Sequence, residues 1–436
     1  MNLYELLSNR CERDLLAKDQ LHAINFSNLP PSGDATILPP VGVTIVARNP
    51  IYLLQQLLTL DGCVHSMLLL SPSLGREAIV SLMRDVGTLT LLTDREDLQD
   101  LVGEVELGPR NLETSWLLTT SGTTGIPKVV QHTLRSITAT TKIANQVSES
   151  QPRWGLLFEM SRFAGLQVAM QALLGGGILL APTGHDLAAR VKFLIGEECS
   201  HLSATPTLWR KLLMMPESDQ LRLKQITIGG EIADSHLLNA LRQKHPNSRV
   251  THIYASTEIG VGFPVNDGIA GFPLDYVTGS SGTKLKIVEG VLWAKLDDAR
   301  SVIAARHIER DSEEYVCTGD RVEVKDGRVL FLGRESSLVN VGGVKIQIEE
   351  VEEIIRQCGV VADCTLEAKK NAFSGAVLSL LVSLKHTDFD HNEAKKNIRD
   401  WCRLKLQREA QPATIRIVDS LEMSSSGKIV RTAGRK

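Results

Sequence analysis

Aromatic residues make up only 4% of the 436 residues, too few for the rows of stacking platforms that hold single-stranded nucleic acid. Neither sign of charge prevails: 48 Lys and Arg stand against 51 Asp and Glu, a net charge of -3, with no block of one sign. That balance argues against a generic nucleic-acid or anionic-membrane surface. The cysteines (Cys11, Cys63, Cys199, Cys317, Cys358, Cys364 and Cys402) are odd in number, scattered and without a C-x-x-C pair. Neither a disulfide framework nor a zinc site is indicated, and a reducing, cytoplasmic setting fits. No stretch approaches the roughly 18 apolar residues of a membrane span. The opening run MNLYELLSNRCERDLLAKDQ carries acids and bases through its apolar residues, unlike a secretory signal. Repeats and low-complexity segments are missing too. What remains is a chain long enough for two or three domains, whose 43% hydrophobic share is that of an ordinary globular protein.

Short β-branched and apolar runs at 41–47 and 88–93 flank 51–60, whose apolar spacing is helical. Strand-like runs recur at 115–120, 177–182, 201–206, 225–230 and 249–255, separated by helix-like segments such as 131–147 and 232–244. This alternation predicts parallel sheets packed between helices. From about residue 283 the strands shorten and alternate, and Asp326-Gly327 predicts a hairpin turn. After Arg334 comes a compact α+β stretch, with a Gly342-Gly343 turn, helices near 349–357 and 392–407, and strands at 375–384 and 414–419. The expected architecture is a large α/β N-terminal domain with a β-rich subdomain, followed by a small α+β C-terminal domain.

The most informative stretch is Thr119-Thr120-Ser121-Gly122-Thr123-Thr124-Gly125-Ile126-Pro127-Lys128. It follows a strand-like run and precedes a helix-like one, and its glycines, hydroxyls, amides and lysine suit the oxygens of a polyphosphate. It is not a Walker A loop, which requires G-x-x-x-x-G-K-[ST]. By itself, a hydroxyl-rich turn with one lysine is usually a solvated loop.

The order S-G-T-T-G-x-P-K, taken with later motifs, closely resembles the acyl-adenylate-forming superfamily: acyl-CoA and aryl-CoA synthetases, adenylation domains of peptide synthetases, and firefly-type luciferases. Gly229-Gly230-Glu231 ends a strand-like run, Tyr254-Ala255-Ser256-Thr257-Glu258 is similar to the family's Y-G-x-T-E, and Thr318-Gly319-Asp320 to its T-G-D. GRESSLVNVGGVKIQIEEVE, from Gly333-Arg334, and Ser426-Gly427-Lys428-Ile429-Val430-Arg431 resemble its closing motifs.

The resemblance implies ATP- and Mg²⁺-dependent activation of a small carboxylic acid as acyl-AMP, followed by transfer to the thiol of coenzyme A or of a separate carrier protein's phosphopantetheine arm. It implies an adenylation domain over 1–333, shortened at its start, and a mobile domain over 334–436 carrying the catalytic lysine. Thr120, Ser121, Gly122, Thr123, Thr124, Gly125 and Lys128 would form the phosphate loop, Glu258 would hold Mg²⁺ and Thr257 would contact the α-phosphate. Gly229, Gly230, Glu231 and Tyr254 would frame adenine, Asp320 and Arg334 the ribose, and Lys428 would bridge the acyl carboxylate and the α-phosphate. Phe158, Arg162, Gly165 and Ala255 would line the acyl pocket, Ser336 would lie at the hinge, and Gly342 and Gly343 would line the thiol's path.

Departures from the family pattern bear on the acid. Ala255 replaces a usual glycine and narrows the pocket toward a small or flat acid, while Arg162 stands where a His or aromatic gate is common. Arg162 has two readings: a ligand for a second carboxylate on the substrate, or a partner of Glu159. Taken singly, Asp320 reads as an Asx-turn residue, Lys428 as a solvated lysine, Tyr254 as core and Glu258 as a helix-end group; the series carries the functional reading. Transfer to an amine, and a non-catalytic nucleotide-binding relative, are the alternatives. Oligomeric state is not legible.

Overall fold

The computed structural model describes residues 2–8, 15–29, 42–105, 107, 109–120, 128–144, 151–184, 186–257, 259–279, 283–295, 309–371, 375–386, 389–423 and 428–429. Ser121, Gly122, Thr123, Thr124, Gly125 and Glu258 therefore lie outside the described residues.

Two α/β sheets form the body. The first has five strands in the order Thr90–Thr93, Gly42–Val46, Ser66–Leu70, Ser115–Thr120, Lys128–His132, parallel except for the last pair. The second has eight strands, with Arg249–Ser256, Gln225–Gly229, His201–Ala204, Arg153–Leu156 and Ile178–Leu180 parallel at its centre. One core joins them: Ile45, Leu69 and Trp116 of the first sheet cluster with Leu156 and Leu179 of the second. The helices Pro50–Leu60 and Phe163–Leu174 fill that core. Both are apolar nearly all round, as a helix covered on every side must be. Pro50 opens the first, and the Asn49 side chain accepts from the N–H groups of Ile51 and Tyr52, which fixes the helix start against the sheet.

The expected β-rich unit is an antiparallel five-stranded sheet, Phe272–Pro273, Arg328–Arg334, Val316–Lys325, Val291–Lys295, Lys284–Val288. Asp326 and Gly327 form one of its two-residue turns, both with positive φ (48° and 74°), as such a hairpin demands. The smaller C-terminal domain packs Ile348–Arg356 and His391–Lys405 on a sheet of Val361–Asn371, Gly375–Leu384 and Thr414–Ile417.

One expectation fails locally. Residues 131–147 do not start as a helix: Lys128–His132 is a strand antiparallel to Ser115–Thr120, and among the described residues of that stretch only Leu134–Thr138 is helical. Val129 and Val130 favour the pleated neighbour beside them, so the phosphate-loop sequence joins two strands rather than a strand and a helix.

Among the described residues no helix is long and apolar enough to cross a membrane, and the six described cysteines are free. Burial pushes the Cys199 thiol up to about 12 and that of Cys402 to about 11, so neither is a ready nucleophile.

Candidate active site

Gly230, Tyr254, Asp320, Arg334 and Lys428 are brought together beside the carboxyl end of the strand Gln225–Gly229, the usual place of a ligand crevice in open α/β sheets. Lys428 enters it from the C-terminal domain. The Met423–Ile429 bridge brings the chain back on itself, Met423 packs on the N-terminal core beside the helix Pro206–Met214, and Lys211 of that helix donates to the Leu421 carbonyl at 3.3 Å. Lys428 Cε lies 3.5 Å from where a Cβ on Gly230 would stand, and Gly230 has φ +84°. A side chain there would be strained and would crowd the lysine.

Asp320 is the acidic centre of the site. It lies on Val316–Lys325 directly opposite Arg334 on the neighbouring strand, so it is not an Asx-turn residue. Its Oδ2 accepts from the Tyr254 hydroxyl at 2.6 Å, and its Oδ1 from Arg334 Nε at 3.2 Å. Burial pushes its carboxyl above the ordinary range, while Arg334, the Tyr254 hydroxyl and Lys428 pull the other way. The Tyr254 ring stacks with Phe263 and Phe331, centroids 5.3 and 5.2 Å away. It is therefore both core and site, its hydroxyl end fixed on the carboxylate.

The turn after Arg249–Ser256 is fixed by a residue the sequence reading missed. His132 donates from Nε2 to the Thr257 carbonyl at 2.9 Å, stacks with Phe163 and is fully buried. Burial holds it down to about 4, so the ring is neutral at pH 7. Its position on the strand that leaves the phosphate loop was the only signal in the sequence. Thr120 and Lys128 pair across the two strands at that loop's base, Lys128 being exposed. Glu231 accepts from the Thr207 N–H at 3.0 Å, and so caps the helix Pro206–Met214 as well as following Gly230.

Of the two readings of Arg162, the structure displays the protein partner. Its guanidinium donates from Nη1 to the Thr119 carbonyl at 2.9 Å and pairs with Glu159, Nε to Oε1 at 3.2 Å. It ties the start of Phe163–Leu174 to the strand that ends at the phosphate loop. Gly165 is required there, since a Cβ would lie 2.3 Å from the Glu159 carbonyl oxygen. Phe158 is buried, and Ala255 packs against the same core as Phe163. Ser336 sits in the short turn Glu335–Ser337 between Arg328–Arg334 and Leu338–Val341. The Gly342-Gly343 turn is not brought to Lys428. It is an exposed hairpin tip, where an added Cβ on Gly342 would meet only Glu409 of the same domain and one on Gly343 would meet nothing.

A family model described as AMP-binding enzyme matches residues 70–302, more than half of the chain. The chain belongs to the AMP-binding enzyme family. A second model, the AMP-binding enzyme C-terminal domain, matches residues 350–428. The chain is 24% identical over 420 residues to 2-succinylbenzoate–CoA ligase of Lactococcus lactis, covering 89% of each protein. To D-alanine–D-alanyl carrier protein ligase of Bacillus cereus it is 23% identical over 354 residues, 73% of this chain and 70% of that one. Among solved structures, a substituted E. coli MenE with bound OSB-AMS matches with a TM-score of 0.75 at 21% identity over 95% of each chain. The amide bond synthetase McbA from Marinactinospora thermotolerans matches with a TM-score of 0.76 at 15% identity, over 97% of this chain and 96% of that one. At such identities the structural matches establish the fold, which is that of the AMP-binding ligases.

Proposed function

We propose that this AMP-binding enzyme activates a carboxylic acid with ATP and passes the acyl group to a thiol, that of coenzyme A or of a carrier protein's phosphopantetheine arm, in the cytoplasm. An acid oxygen attacks the α-phosphorus and pyrophosphate leaves; the thiol sulfur then attacks the acyl carbon and AMP leaves. The observation that carries this reading is the meeting of Lys428 with Gly230 and Asp320, residues far apart in sequence and on two domains.

Asp320, held by Tyr254 and Arg334, would accept the ribose hydroxyls, and Tyr254 would stand beside adenine with the Gly229–Glu231 backbone. Thr120 and Lys128, with Ser121 to Gly125 between them, would surround the phosphates. Lys428 would sit between acid and α-phosphate and neutralise the charge that develops as they join, which is the main need of phosphoryl chemistry. Mg²⁺, when bound, supplies further neutralisation on the phosphate oxygens. One carboxylate with substrate phosphates suits this cation, and Glu258 follows a Thr257 carbonyl that His132 already fixes. Domain 334–436 would pivot near Ser336 to bring Gly342-Gly343 toward the thiol's path.

Lys428→Ala tests the assignment. Acid-dependent pyrophosphate exchange falls by about 100-fold or more, in line with the loss of a preorganised charge, while ATP binding by calorimetry stays within about threefold. Unchanged exchange removes Lys428 from the chemistry.

A further inference from the structure

Where the two α/β sheets face each other, a cavity of about 560 Å³ opens beside the segment 156–160, with apolar walls from Leu53, Leu156, Phe158, Leu208 and Met423. Three cations reach it, Arg48, Arg190 and Lys211, against one carboxylate, Glu159. That carboxylate is already engaged: Arg162 pairs with it, and it accepts from Ser161 and Ser71.

Arg190 has no such partner. Its Nη2 donates to the Leu156 carbonyl at 3.2 Å, its Nε is buried without an acceptor, and no carboxylate among the described residues pairs with it. Burial pulls its pKa below that of a free guanidinium, with no opposing charge to offset this. Lys211 is similar: burial lowers its pKa against only the pull of Asp363, and its ammonium has the Leu421 carbonyl as acceptor. A guanidinium whose buried Nε has no acceptor and which has no counter-ion is costly, and Arg190, with the half-buried Lys211 beside it at one cavity in an α/β fold, points outward to a bound anion. The apolar part of the walls suits an anion carried on an apolar or neutral stem.

We propose that this cavity receives an anionic group, carboxylate or phosphate, of one of the enzyme's organic substrates, with Arg190 as its principal ligand and Lys211 as the second. It rests on the ligase reading above. Two sources share the chemistry: a second carboxylate on the acid, or the phosphate of a phosphopantetheine acceptor. Both are longer than the reacting group and reach beyond the Lys428 site.

The experiment compares wild type with Arg190→Gln in two arms. The adenylation arm measures KM for dicarboxylic acids against monocarboxylic acids of equal length. The transfer arm measures KM for 4′-phosphopantetheine against pantetheine. In one arm the charged member's KM rises about tenfold or more, as a lost charge-assisted hydrogen bond implies, while its neutral counterpart moves less than about twofold, and Arg190→Lys restores part of the difference. The arm that responds identifies the source. Equal changes in charged and neutral members, or no change in either arm, overturn the proposal. Should Arg190→Gln fail to fold, Lys211→Gln serves the same comparison. Wild type without pyrophosphate exchange for any acid would instead sink the ligase reading itself.

Discussion

Asp320 and His132 show how differently two site residues announce themselves. Asp320 is legible because its neighbours Thr318 and Gly319 form a recognisable triplet, and its carboxylate accepts from both Tyr254 and Arg334. His132 is a lone histidine within a strand, and only the three-dimensional approach of its Nε2 to the Thr257 carbonyl gives it meaning. Arg162 falls between them: the sequence allows a substrate ligand or a Glu159 partner, and only the position of Thr119 selects the second. His132 also makes a prediction in pH. Burial lowers its pKa from 6.5 to about 4, so the unfolded chain binds the proton that the folded one refuses. Its contribution to stability is complete above pH 6.5 and is lost as pH falls toward 4, by about 3 kcal/mol from a shift of this size. In urea titrations at pH 7 and pH 4.5, wild type loses stability relative to His132→Gln, whose amide keeps the bond to Thr257 without titrating. An identical loss in both proteins contradicts a neutral, buried His132.

The elements best read from sequence are those whose pattern agrees with their surroundings. Pro50–Leu60, the Asp326-Gly327 hairpin and Ile348–Arg356 each lie within a residue or two of their predicted places. Lys128–His132 does not, because its helical neighbours in sequence compete with a strand partner that sequence does not display. The contacts between domains were not legible at all. On the helix Pro206–Met214, Arg210 pairs with Asp234, the N-cap of Ser235–Lys244. Burial raises the Asp234 carboxyl, but Arg210 and then Arg356 of the C-terminal domain outweigh it and hold it below the ordinary range. The acid is 6% exposed as a side chain, so removing its partner strands a charge. Arg210→Ala is predicted to cost about 3–5 kcal/mol in urea unfolding at pH 7, the usual penalty for breaking a buried pair. A loss below about 1 kcal/mol, typical of surface pairs, would mean that water reaches Asp234 and that Arg356 alone suffices.

At the scale of the whole molecule, the two α/β sheets share one core and open their carboxyl ends on one crevice, and the small domain reaches across it with Lys428. That arrangement explains why the motifs are spread along the chain: Gly230, Tyr254, Asp320 and Lys428, far apart in sequence, meet at one crevice, and none is meaningful by itself. Composition excluded other classes of protein, the motif series indicated the chemistry, and the family match confirms its class. The shape of the cavity beside 156–160, lined by Arg190 and Lys211, is recorded by no motif. The decisive measurement is exchange of labelled pyrophosphate into ATP across aryl, short and long aliphatic, dicarboxylic and amino acids, which follows adenylation without a thiol acceptor. Exchange with one class of acid, abolished by Lys428→Ala, is the predicted result; no exchange with any acid, although ATP binds, would contradict an enzyme that forms acyl-adenylates at this site.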